Sequence, residues 1–246
     1  MRLSERVFLI GGGTLGFGIS HELDCHVYLI DGGREMALID SGAGVTIEPI
    51  IQNIQRDGLD PGRLKYLLLT HAHADHAGAA FEWSRRFGVA VVASKEAGEY
   101  VRTGDEERIS LAVAKRGGFY PEDYIFHPCP VERVLAEDDV FRVGDLALHV
   151  IETPGHCSGM LSFVLKEHDQ RLLFDGDTVF HDGKLLITNV WDCNLQEYVT
   201  SVRKLAALKV DALLPGHLTI SLSQGARHIQ KAWDTLERLV VPPNIL

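Results

Sequence analysis

Short contiguous apolar runs, each closed by a turn-forming group, set the pattern of the first third of the chain. Residues 7–10, 26–30 and 35–39 read as strands, and Asp31-Gly32-Gly33 joins the last two as a hairpin because these residues accept positive φ. Asp40-Ser41-Gly42 ends the second arm. Residues 46–56 change period: Ile47, Ile50, Ile51 and Ile54 recur at helical spacing, with Gly58 as the stop. The run 66–70 returns to continuous apolar character, predicts a buried strand, and opens directly onto a histidine cluster. A helix at 79–87, a buried strand at 89–93 and a more polar helical stretch at about 95–124, broken by Gly117-Gly118, follow. Strands are then predicted at 140–143, 146–151, 161–165 and 172–174, with a hairpin turn at Asp182-Gly183. An amphipathic helix at 195–208, a short strand at 212–214 and a helix at 224–239 close the pattern.

Two β-rich halves, each flanked by helices, predict an α/β fold in which two sheets pack face to face with helices outside. No Pro/Gly/Ser tract divides the halves, so residues 1–246 read as one domain. The run Gly11-Gly12-Gly13-Thr14-Leu15-Gly16 fits a dinucleotide-binding fingerprint, with Asp31 in place of a ribose-binding acid. A crossover helix of about ten residues must follow such a loop. Only residues 17–25 are available, and Gly18 interrupts them. A glycine-rich loop between antiparallel strands is the better reading.

Charge narrows the partners. Lys plus Arg number 24 against 34 Asp plus Glu, a formal net charge of -10, which argues against nucleic acid as the main partner. No apolar stretch is long enough to span a bilayer, and Cys25, Cys129, Cys157 and Cys193 form no CxxC pair. The expectation is a cytoplasmic protein with free thiols, a small-molecule substrate and no membrane partner.

The chemistry concentrates in Thr70-His71-Ala72-His73-Ala74-Asp75-His76-Ala77-Gly78, where three imidazoles and a carboxylate share six positions with only alanine between them. Polar groups in such density after a buried strand are costly unless paired, and a metal pairs them. Three further strand ends add ligand types: Thr153-Pro154-Gly155-His156, Phe174-Asp175-Gly176-Asp177-Thr178 and Leu213-Leu214-Pro215-Gly216-His217. Five histidines with two carboxylates exceed the needs of one tetrahedral zinc and fit two metals sharing a carboxylate.

HxHxDH, TPGH, GDT and PGH in this order resemble the metallo-β-lactamase superfamily, over about residues 26–217. That resemblance implies the four-layer αββα sandwich. It also implies a ligand set: His71, His73 and His156 on one divalent metal, Asp75, His76 and His217 on a second, and Asp177 bridging. Asp175 is the neighbouring rival, and the family pattern selects the acid before Thr178. Asp40 becomes a supporting acid, and Asp75 both ligand and orienting partner of the attacking hydroxide. Zinc is the default metal, with iron, manganese or cobalt accepted by the same N/O donors.

The implied chemistry is hydrolysis of a small ester, lactone or thioester, with phosphoester or β-lactam turnover as side activities. The alternatives are an iron-dependent oxidoreductase of the same fold, such as a sulfur dioxygenase or diiron enzyme, and a non-catalytic module. A homodimer is also consistent with the resemblance. Trp191, Asp192 and Cys193 are candidates for a pocket mouth, Cys157 for a pocket thiol, and Phe17 and Ile19 for an apolar wall. Phe119 and Tyr120 are candidates for a mobile lid within 95–124, and His181 lies four positions beyond Asp177.

Overall fold

The computed structural model describes all residues from Met1 to Leu246. They form two compact units, one of residues 1–135 with 143–145, the other of 136–142 with 146–246.

The first unit carries strands β1 (Val7–Gly11), β2 (Val27–Asp31) and β3 (Met36–Ile39), then helix α1 (Glu48–Arg56) and strand β4 (Leu64–Leu68). A single helical turn α2 (Ala74–Ala77), helix α3 (Ala80–Phe87), strand β5 (Ala90–Ala93), helices α4 (Lys95–Thr103) and α5 (Leu111–Arg116) and strand β6 (Arg133–Val134) follow. The strands form one sheet in the order β1-β2-β3-β4-β5-β6. β1 with β2 and β2 with β3 are antiparallel, while β3 to β6 are parallel, so the sheet is mixed. The Asp31-Gly32-Gly33 hairpin is present, joining β2 to β3. Ile50, Ile51 and Ile54 of α1, Trp83 of α3 and Val101 of α4 pack with the strand residues in one apolar core. That stripe is what the 46–56 spacing predicts.

The glycine run is structural. β1 is antiparallel to β2, not the start of a parallel crossover unit. Asn53 of α1 donates to the carbonyls of Ile10 and Ile19 at 2.9 and 3.0 Å, pinning both ends of the loop. A Cβ on Gly16 would lie 2.2 Å from His26 Nε2, so close approach accounts for glycine there.

The second unit carries β7 (Val140–Val143), β8 (Leu146–Glu152), β9 (Leu161–Glu167) and β10 (Gln170–Gly176), then helix α6 (Leu195–Ala206), strand β11 (Ala212–Pro215) and helix α7 (Gly225–Glu237). The order is β11-β10-β9-β8-β7, antiparallel except for the parallel pair β10 and β11 among the pairings of β8 to β11. Tyr198, Val202 and Leu205 of α6 and Ile229, Ala232 and Leu236 of α7 pack with Leu173 and Leu213 of the sheet. The fold class is thus α/β, two mixed sheets flanked by helices. Asp182-Gly183 forms a tight turn, with Phe180 N–H donating to the Lys184 carbonyl at 2.9 Å.

Candidate functional site

In the first unit the histidine run leaves the end of β4 as a loop and then becomes helical. His73 caps the turn: its carbonyl accepts from the His76 and Ala77 N–H groups at 3.0 and 2.8 Å. His71, Asp75 and His76 are thereby gathered beside His73. The His71 ring centroid lies 4.7 Å from that of His73 and 4.0 Å from that of His76, and His76 Nε2 lies 3.4 Å from Asp75 Oδ2.

One buried carboxylate organises this cluster. Asp40 Oδ1 accepts the Thr70 N–H at 2.7 Å; Oδ2 accepts the Thr70 hydroxyl and His76 Nδ1–H, both at 2.8 Å. Because the Thr70 hydroxyl donates to Asp40, its oxygen must accept from His71 Nδ1–H, 2.9 Å away. Both rings therefore donate from Nδ1, which leaves Nε2 as the nitrogen a cation would take. Imidazoles fixed in this way by a carboxylate or carbonyl are the ordinary form of a metal-ligating histidine.

The second unit gathers its own set. His156 Nδ1–H donates to the Leu186 carbonyl at 2.9 Å, which leaves Nε2 as the nitrogen a cation would take there as well. Asp177 Oδ2 lies 3.7 Å from His156 Nε2 and 3.4 Å from His217 Nε2, and all three residues are buried. Asp175 faces elsewhere: its Oδ2 accepts the Val179 N–H at 3.0 Å, and burial, reinforced by the Asp177 charge, holds its carboxyl well above the usual carboxylate range. Between the two acids of the GDT motif, Asp177 is the one beside the histidines. The donor set of imidazole nitrogens and carboxylate oxygens suits a borderline divalent cation.

Other side chains support these clusters without having declared themselves in the sequence. The Tyr198 hydroxyl donates to the carbonyls of Asp177 and Leu186 at 3.1 and 2.9 Å. Asn194 N–H donates to the Gly155 carbonyl at 2.8 Å. The thiol of buried Cys25 lies within 4.8 Å of both Asp40 and His76, and burial raises its pKa. Neither Tyr198, at an apolar position of α6, nor Cys25 carries a signal in the sequence.

The secondary candidates divide. Ser158, Trp191, Asp192 and Cys193 line a hollow of about 470 Å³, with Trp191 53% exposed. Asp192 Oδ2 accepts the Ser158 N–H at 3.0 Å, tying this wall to the His156 loop. Cys157 is buried beside His156. Phe17 is exposed, its ring 5.4 Å from that of His26. Phe119 is exposed, whereas Tyr120 is half-buried, its ring centroid 4.9 Å from that of Tyr124 at a tilt of 54°, with its phenol pushed up by burial and by the Asp75 charge. Tyr124 anchors the segment by donating to the Ala43 carbonyl at 2.6 Å. His181 meets His228 rather than a candidate ligand, with ring centroids 4.3 Å apart.

The sequence profile of the metallo-beta-lactamase superfamily matches residues 22–217, most of the chain. The chain belongs to the metallo-β-lactamase superfamily. Within it, the chain is similar to an acyl-coenzyme A thioesterase MBLAC2 of Gallus gallus, 29% identical over 79% of this chain and 73% of that protein. An atrochrysone carboxyl ACP thioesterase of Aspergillus fumigatus is 30% identical over 96% of this chain and 63% of its own length. The hydroxyacylglutathione hydrolase GloC of Haemophilus influenzae is 29% identical over 62% of this chain and 65% of its own. The chain thus spans less than two thirds of the latter two relatives. Among solved structures, the subclass B3 metallo-β-lactamase BJP-1 of Bradyrhizobium japonicum superposes with a TM-score of 0.75 at 21% identity, covering 97% of this chain and 91% of that one. At that identity the likeness speaks for the fold. No helix of the structure is long and apolar enough to cross a membrane.

Proposed function

We propose that this superfamily member is a dinuclear metallohydrolase that cleaves a small thioester, with esters and lactones as further substrates. The observation that carries the reading is the hydrogen bonding of His71, His76 and His156, each engaged through Nδ1 by an oxygen, the arrangement in which Nε2 is the ligating nitrogen. In the ligand set that superfamily membership supports, His71, His73 and His156 would hold one divalent metal, zinc by default, Asp75, His76 and His217 would hold another, and Asp177 would serve both. Bound there, the metals supply Lewis acidity, bringing the pKa of water toward about 7 and drawing electrons from an acyl carbonyl.

The chain's own groups do the rest. Asp75 orients the attacking water through a carboxylate oxygen and takes up its proton. Asp40 keeps the His71 and His76 rings from turning or changing tautomer as charge moves. Asp175 stays out of the ligand set, because its Oδ2 is committed to the Val179 N–H. Water and thioester then yield a carboxylic acid and a thiol. A free thiol has a pKa near 8.5, so a thiolate departs without a strong general acid, which an alkoxide would need. The names of the relatives support the same choice, since acyl-coenzyme A, acyl-carrier-protein and hydroxyacylglutathione substrates are all thioesters.

The test is a panel of thioesters, lactones, esters and phosphoesters run with metal analysis on the same samples. About two metals per chain and thioester turnover that disappears on chelation are expected. His73→Ala should lower turnover by at least about 1,000-fold while the chain stays folded. Wild-type rates in that variant, or turnover indifferent to chelation, would sink the proposal.

A further inference from the structure

Residues 177–186 contain or run beside every candidate ligand of the second unit. The segment starts at Asp177 and sets the Phe180 ring 6.4 Å from the His217 ring. It ends at Leu186, whose carbonyl holds His156 Nδ1–H at 2.9 Å. Its middle is the tight turn in which Asp182 takes φ +66°.

That turn is pinned by a side chain of α7. The Asp182 N–H donates to His228 Nδ1 at 2.9 Å, and His228 Nε2 meets Ser221 Oγ at 2.8 Å. Ser221 lies four residues beyond His217 and exchanges backbone hydrogen bonds with Leu213 of β11, at 2.8 and 3.0 Å. A ring nitrogen that accepts from an N–H carries no proton itself, so the ring is the Nε2–H tautomer and donates to Ser221. One imidazole thus joins the segment after Asp177 to the loop after His217.

We propose that His228 is a positioning residue: its neutral Nε2–H form ties these two stretches together, and protonation releases the tie. For catalysis this rests on the metallohydrolase reading; the tie itself does not. An imidazolium would set a proton on Nδ1 against the Asp182 N–H. The groups facing His228 are His181 and Asp182 from the turn and Arg227 and Lys231 from its own helix, while Ser221 brings no charge. The Asp182 carboxylate is itself engaged by Lys231 at 2.6 Å. Burial first, then His181 and Arg227, lower the His228 pKa from its ordinary 6.5. A base with a depressed folded pKa stabilises fully above its unfolded value and loses that contribution as pH falls toward the folded one. The tie therefore weakens below about pH 6.5.

Two variants test it. In His228→Asn the side-chain oxygen can accept the Asp182 N–H but cannot titrate; His228→Leu offers no partner. The melting temperature of metal-free protein should fall more steeply in wild type than in His228→Asn between about pH 7 and pH 5. At about pH 7.5, zinc affinity by chelator competition and kcat/KM should each drop roughly 10-fold in His228→Leu and recover most of that loss in His228→Asn. Parallel melting profiles would overturn the titration. Wild-type zinc affinity and kcat/KM in His228→Leu would overturn the positioning role. If no variant and no wild-type sample hydrolyses a thioester, the functional reading fails, while melting and zinc affinity still decide the tie.

Discussion

The two histidine clusters solve the same problem in opposite ways. In the first unit all four candidate ligands come from one stretch of six residues, and a single carboxylate, Asp40, fixes two of the rings. In the second unit the candidate ligands come from three separate strand ends. Their support is divided among the Leu186 carbonyl, the Tyr198 hydroxyl and the backbone of the α6 entrance. Bracing that runs through one group fails all at once; bracing spread over several fails in parts. A loss at Asp40 should therefore exceed any single loss among the supports of the second unit.

The sharpest break comes from Asp40→Asn. The residue sits at φ +60°, which asparagine tolerates, so the backbone is not the issue. If the amide keeps its oxygen toward the Thr70 N–H, its NH₂ faces the Thr70 hydroxyl and His76 Nδ1–H, donor against donor. If it turns over, the Thr70 N–H is left buried and unpaired. Either outcome costs roughly 1–3 kcal/mol, and a tautomer change at His76 would put a proton on the nitrogen proposed to hold a metal. A fall in kcat/KM of about 100-fold is expected, with reduced metal content by elemental analysis. An active, metal-replete Asp40→Asn variant would show that the first cluster is not braced through one group.

Tyr198→Phe probes the divided bracing. It removes one hydroxyl that serves two carbonyls, yet Leu186 still accepts from His156 Nδ1–H. The expected cost is about 1–2 kcal/mol in urea unfolding, with kcat/KM down only ~10-fold and metal content kept. An effect as large as that of Asp40→Asn would erase the contrast between the clusters.

That contrast also explains what was legible in the sequence. The first cluster is a contiguous run, so its ligand types and their crowding can be read directly. The strand ends bearing His156, Asp177 and His217 are legible because a buried apolar run precedes each, and the two-sheet α/β class follows from the same runs. The supports are not legible. A carbonyl such as that of Leu186 exists at every residue, and nothing in its neighbours announces that it will face an imidazole. Tyr198 reads as an ordinary apolar position of α6, where it is in fact wholly buried. The four-residue turn α2 lacks the length for a helical period, and β6, two exposed residues long, lacks any alternation. Of the two acids in one turn, the resemblance already selects Asp177, the acid before Thr178; what the sequence does not give is that Asp175 accepts the Val179 N–H.

The finest comparison pairs two helix caps of similar chemistry. Ser94 caps α4 by accepting the Ala97 N–H at 3.1 Å, and Asn194 caps α6 by accepting from Gln196 and Glu197 at 2.9 and 3.3 Å. Replacing either by alanine should cost about 1 kcal/mol, a drop of a few degrees in Tm. The local consequences differ. Asn194 also gives its backbone N–H to Gly155, one residue before His156, and a Cβ at Gly155 would come within 2.7 Å of Tyr198 backbone atoms. The α6 entrance and the His156 loop are thus in direct contact, and fraying the first turn of α6 must loosen the loop. Ser94 has no such link to the 70–78 run through its cap. Asn194→Ala should therefore lower kcat/KM by about 3-fold and Ser94→Ala should leave it within error, at matched losses of Tm. Equal kinetic losses in the two variants would mean that stability alone, not the distributed bracing of the second cluster, sets the activity.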